Sequence, residues 1–141
     1  MTHVTRMITI HAPADAIWQV ISDFSLACHY LARVVNCTVA GAGVGALRTL
    51  TSVDGSTVVE RLETLDGYAH QMSYALLTDT PFSNCLTTMA VRDLGPSQAE
   101  LAWSATFEAD GLPASEAEEL MEGALAANCL ALKLFMEAGY N

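Results

Sequence analysis

From Val34 to Ala109 the chain reads as short strands joined by tight turns, and from Ser115 onward it reads as one long helix. That order limits the possible folds more than any single motif does. Consecutive hairpins build an antiparallel sheet, and such a sheet must bury one face. The one long amphipathic helix left at the end has to cover it. The strands are VVNCTVA, LRTLTSV, two within VVERLETLDGYAHQMSYALL (Val58–Leu77), CLTTMAVRDL and QAELAWSATFEA. Glycine-rich or Asp-Gly turns separate them: GAGVGA (Gly41–Ala46), Asp54-Gly55, Asp66-Gly67 and Gly95-Pro96-Ser97. Thr78–Asn84 is a further loop. Upstream, THVTRMITI (Thr2–Ile10) predicts a strand. PADAIWQVISDF predicts a helix opened by Pro13, with Ile17, Trp18, Val20, Ile21 and Phe24 at helical spacing. SLACHYLA is a short second helix or turn. The expected class is α+β.

The last helix is expected from about Ser115 to Ala138, with Gly139 as its stop. Ser115 followed by Glu118 fits a capping box, and Glu116 and Glu119 suit the positive end of the helix dipole. Its apolar stripe runs through Ala117, Leu120, Met121, Ala124, Ala131 and Phe135, with Asn128 inside it.

Period two puts polar groups on the buried face of Val58–Leu77. Val58, Glu60 and Leu62 share one side, and His70, Met72, Tyr74 and Leu76 share another. A carboxylate, an imidazole and a phenol among apolar neighbours need partners, because each unpaired buried polar group costs about 1–3 kcal/mol. A ligand cavity supplies one explanation, since such cavities are apolar with a few orienting polar groups.

Composition narrows the function. The 141 residues suit one domain, and 52% hydrophobic against 16% charged residues allows a sizeable core. A net charge of −10 argues against nucleic acid and anionic membrane surfaces. No apolar run reaches 18 residues and the N-terminal stretch lacks a signal-peptide pattern, so a cytoplasmic protein is expected. Cys28, Cys37, Cys85 and Cys129 form no CxxC pair, which predicts reduced thiols and neither metal nor cofactor.

The segments ITIHAPADAIWQVISDF, GAGVGALRTL, VVERLETLD, AELAWSATFEADG and the final helix together resemble the SRPBCC or START-like superfamily. It includes the birch-pollen-allergen proteins, the plant abscisic-acid receptors and small bacterial polyketide cyclase/dehydrase-type proteins, the last being the nearest in character. The resemblance spans nearly the whole chain, residues 1–141, as one ligand-binding domain. It implies a helix-grip fold, a curved seven-stranded antiparallel sheet wrapped round the C-terminal helix, with an apolar cavity between them. It also supports an inward Glu60 and Asn128, which match polar pocket positions of the plant receptors. The receptors' pocket lysine is missing: the chain's single lysine is Lys133, in the last helix.

The candidate wall of the cavity is therefore Glu60, Met72, Tyr74, Leu76, Cys85, Thr87, Met89, Trp103, Phe107, Leu120, Ala124 and Asn128. Glu60 reads equally as a pocket acid or as half of a structural salt bridge. Arg48 reads as its inward partner or as an external ion pair. The glycine loop Gly41–Gly45 and the loop Thr78–Asn84 are expected to flank the mouth. No GxSxG, HExxH or close Cys–His pair is present. The leading expectation is a binder of a hydrophobic small molecule such as a lipid, polyketide or aromatic. The alternatives are a cyclase/dehydratase-like enzyme using Glu60, Tyr74 and His70 for acid–base chemistry, and a protein-interaction module. Oligomeric state is left open.

Overall fold

The computed structural model describes residues 1–78 and 80–139. In chain order the elements are β1 (Thr2–Ile10), α1 (Ala14–Ile21), a 3₁₀ turn (Phe24–Leu26), α2 (Ala27–Tyr30), β2 (Val34–Ala40), β3 (Leu47–Ser52), β4 (Thr57–Asp66), β5 (Gln71–Leu76), β6 (Phe82–Gly95), β7 (Gln98–Ala109) and α3 (Ala114–Glu137). The strands form one seven-stranded antiparallel sheet in the order β1-β7-β6-β5-β4-β3-β2. This is the expected α+β helix-grip arrangement. The first strand closes against the last, and every other pair is a hairpin neighbour.

Local chemistry sets the joints. The Asp66 carboxylate accepts from the backbone N–H of Tyr68 and Ala69, which closes the β4–β5 turn. Between β2 and β3 the chain reverses through Gly41, Gly43 and Gly45, all at positive φ. A Cβ on Gly41 would stand 3.5 Å from Ala46 Cα, so strain in φ, not crowding, selects glycine there. β6 begins three residues earlier than expected, at Phe82, because Asn84 takes a φ of 52° and the register shifts between Ser83 and Leu86. Asp79 of the preceding loop lies outside the described residues.

Helix α3 is capped differently from the sequence pattern. Pro113 occupies the N-cap with no side-chain cap bond, so Ser115 stands inside the first turn and the expected capping box does not form. The buried stripe is Ala117, Met121, Leu125, Cys129, Leu132 and Met136. It lies along one side of the helix and leaves Leu120 half exposed on another. Leu120 is thus corrected from wall to surface. α3 packs chiefly on β1 and β7. Lys133 Nζ fastens it there by donating to the Thr9 carbonyl at 2.9 Å and to Glu137 Oε2 at 2.6 Å, while His11 N–H donates to the same carboxylate oxygen.

All four cysteines are free, with Cys85 and Cys129 buried. Burial pushes the Cys129 thiol up to about 11 and raises that of Cys85. Both should stay silent toward Ellman's reagent at mild alkaline pH and react once denaturant is added. Prompt native reaction of Cys129 would mean that α3 opens from the sheet. Leu132→Ala, at a fully buried position of the same stripe, should cost about 2–5 kcal/mol in urea unfolding.

Candidate functional site

A cleft of about 430 Å³ opens between α3 and the half of the sheet that the helix does not cover. Val58 and Glu60 from β4, Tyr74 and Leu76 from β5, and Phe82, Cys85 and Thr87 from β6 line one side. Met121, Ala124, Leu125 and Asn128 of α3 line the other, with Thr80 and Pro81 at the loop before β6. Most of this lining is apolar; Glu60, Thr87 and Asn128 are among its polar members.

Sheet register decides which inward residues reach the cleft. Met72, Met89 and Trp103 are opposite one another across β5, β6 and β7, and all three are fully buried core. The next row, Leu62, Tyr74, Thr87 and Ala105, puts Tyr74 and Thr87 at the cleft. One row further on, Glu60 is opposite both Arg48 and Leu76. Met72, Met89 and Trp103 therefore form the floor beneath the site rather than its wall. Phe107 is also core: Phe82, which does line the cleft, packs edge-on against it at 5.0 Å.

Arg48 is the residue that organises the site from behind. As the cross-strand neighbour of Glu60 it turns inward and is fully buried. Its Nε donates to Glu60 Oε1 at 2.7 Å, and Nη2 lies 2.7 Å from the same oxygen. The guanidinium carbon lies 4.0 Å from the centre of the Phe24 ring and 4.6 Å from that of Tyr74, with the two rings tilted to one another. Nη2 approaches off the hydrogen-bond direction. Among the described residues, Nη1, Nη2 and the buried Tyr30 hydroxyl meet no hydrogen-bond partner. Of the two readings of Glu60, the ion pair and the place at the cleft both hold: the carboxylate faces Arg48 through Oε1 and still lines the cleft.

Burial raises the Glu60 carboxyl above its ordinary value, and the Arg48 guanidinium offsets part of that rise. Tyr74 accepts a hydrogen bond from Trp103 Nε1 at 3.2 Å. Burial, with the Glu60 charge adding to it, raises the Tyr74 phenol far above its usual range. The phenol therefore stays protonated. Asn128 Oδ1 accepts from Ala32 N–H at 2.9 Å, which anchors the segment after α2 to α3. No hydrogen bond to its amide nitrogen is present among the described residues.

His70 departs from the expected alternation. It stands in the β4–β5 turn with φ at 53°, so its side chain does not follow the inward row of Met72 and Tyr74. Its ring stacks on Trp18 at 5.4 Å, and Nε2 is 3.3 Å from Asp15 Oδ1. It lines a separate surface groove with Pro13, Asp15 and Asp93, away from the cleft lining, and leaves the list of acid–base candidates. The glycine loop likewise borders a different pocket, of about 260 Å³, with Ser22–Ser25, Leu62 and Leu65. Phe24, Tyr30, Ser52 and Leu125 were not singled out from sequence as members of the site. Tyr30 arrives from a four-residue helix too short to carry a period, and Phe24, expected at the end of the helix opened by Pro13, instead opens the 3₁₀ turn after α1 stops at Ile21.

An antiparallel sheet gripping a C-terminal helix, with a part-polar cleft between them, defines a helix-grip fold. The chain belongs to the polyketide cyclase / dehydrase and lipid transport family, whose model matches residues 1–137. It is similar to the solved structure of XoxI from Bacillus cereus, at 25% identity and a TM-score of 0.89, with 100% of each chain covered. The Zhui aromatase/cyclase from Streptomyces sp. R1128 shares the fold at 21% identity and TM-score 0.76, covering 95% of this chain and 90% of that one. A START superfamily protein from Mycobacterium smegmatis does so at 17% identity and TM-score 0.82, covering 96% and 97%. No curated protein matches the chain.

The ion pair gives a stability prediction. Glu60→Leu leaves a buried guanidinium without its carboxylate and should destabilise by about 3–5 kcal/mol in chemical denaturation. Arg48→Met combined with Glu60→Leu should recover most of that loss, because no charge is then stranded.

Proposed function

We propose that the cleft binds a hydrophobic small molecule of aromatic or polyketide character. The observation that carries this reading is a largely apolar cleft with the polar side chains Glu60, Thr87 and Asn128 in its lining, contributed by strand and helix. A volume of about 430 Å³ falls within the range of small-molecule sites. The apolar walls supply affinity by removing ligand surface from water, and the polar points orient a hydroxyl or carbonyl. The family description and the aromatase/cyclase neighbour support a ligand of this class.

A second reading, acid–base catalysis on that ligand, has a specific observation in its favour. Glu60 is a buried carboxyl with a raised proton affinity, and Oε2 takes no hydrogen bond from the described residues. It is placed to take or give a proton, and the protonated Tyr74 phenol beside it is a candidate donor to developing charge.

Native mass spectrometry of the purified protein tests the first reading, with a co-purified aromatic or polyketide as the expected result. Ala124→Trp fills the rim and should weaken binding of an anilinonaphthalene dye by about tenfold or more, an order-of-magnitude figure worth roughly 1.4 kcal/mol. Leu130→Trp, on an exposed part of the same helix, should leave it unchanged. Equal dye affinity in both variants would remove the cleft as the site. Glu60→Gln separates the two readings. A binder should keep its ligand with an altered affinity that no longer varies with pH through this group. An enzyme should lose turnover of a poly-β-keto thioester while still binding it.

A further inference from the structure

The β2–β3 hairpin stands apart from the rest of this acidic surface. The chain carries 22 charged side chains, from 6 basic and 16 acidic residues. Between Val34 and Val53 there is one, Arg48, and it is buried. That whole segment of about twenty residues thus shows solvent no ionised side chain. Instead it exposes Val35, Val39, Val44, Leu47 and Val53. β2 is also the last strand in the sheet order, so one side of its backbone has no strand neighbour. Open edges are ordinarily guarded by lysine, proline, an inward charge or a bulge. β2 has none of the first three; its register shift, between Val34 and Asn36, falls at Val35, and the strand from Asn36 to Ala40 pairs regularly. The opposite edge, β1, carries the exposed Arg6 and His3.

We propose that this edge is where a second copy of the chain pairs, β2 antiparallel to β2, so that the sheet continues across two molecules. Charge selects the occupant. Two copies at −10 each repel, and a lasting contact between them must lie where neither brings acid to the interface. The exposed leucines of α3, Leu120, Leu130 and Leu134, fail that condition, because Glu116, Glu118, Glu119 and Glu122 share their helix. Symmetry agrees. A two-fold contact must be self-complementary, and Val35-Asn36-Cys37-Thr38-Val39 is close to a palindrome about Cys37. Antiparallel pairing centred on Cys37 sets Val35 opposite Val39 of the second copy, twice.

Sedimentation of the full chain over a concentration series tests this, with hydrogen exchange of β2 followed in parallel. The expected result is a dimer whose β2 amides gain protection as concentration rises. Val35→Lys puts two ammonium groups into the symmetric contact, and Val39→Pro removes an N–H that alternates away from β3 toward the open edge. Each should raise the dissociation constant by about tenfold or more, with an unchanged circular dichroism spectrum. Leu130→Lys should not. A chain that stays monomeric throughout overturns the proposal. So does a dimer lost with Leu130→Lys and kept with Val35→Lys. A monomer that binds phosphatidylcholine vesicles through the hairpin, and loses them with Val35→Lys, overturns it in favour of a lipid surface.

Discussion

The pairing of Arg48 with Glu60 governs the arrangement around the cleft. Two charges taken out of water are costly, and the protein offsets that cost with a contact at 2.7 Å and two aromatic faces on the guanidinium. Phe24 comes from the 3₁₀ turn, Tyr74 from β5, and the ion pair joins β3 to β4, so one buried cation holds four parts of the chain in place. The pair also sets the chemistry. It keeps a carboxyl inside an apolar cleft that would otherwise exclude it, and it does so through one oxygen.

The cleft exists because α3 covers only part of its sheet. The helix is bound tightly over β1 and β7, where the Lys133–Glu137 contacts and the row of Leu101, Trp103 and Phe107 leave no room. Over β4, β5 and β6 the sheet reaches beyond it. Asn128 stands where these two regimes meet: its carbonyl ties α3 to the backbone of Ala32, and its side chain borders the open space. A packed half and an open half thus share one helix–sheet contact.

Much of this was legible in the residue order. Period-two runs and Asp-Gly or glycine-rich turns located the seven strands, and a polar residue breaking an apolar alternation marked Glu60. Alternation names a face, though, and does not name a row. Met72 and Tyr74 look the same in sequence, yet one lies under the core and the other at the cleft, and only the register with β6 and β7 separates them. Arg48 follows a glycine loop that resets the phase, so its direction emerged only with its pairing to Glu60. Leu120 failed because the helix turns its stripe toward Leu125, Cys129 and Leu132. His70 failed because a left-handed backbone step rotates it out of the strand it precedes.

The bond between Trp103 and Tyr74 links the core to the cleft in a way that light can report. The chain has two tryptophans. Trp18 is half-buried, stacked on His70 at the β4–β5 turn, and belongs to another part of the surface. Trp103 is sealed from solvent, and its indole N–H ends on the phenol that lines the cleft. An occupant that draws on the Tyr74 hydroxyl changes the polarity felt by that indole without touching it. The emission spectrum of an unlabelled protein, with Trp18 replaced by phenylalanine, is then a built-in optical gauge of what the cleft contains.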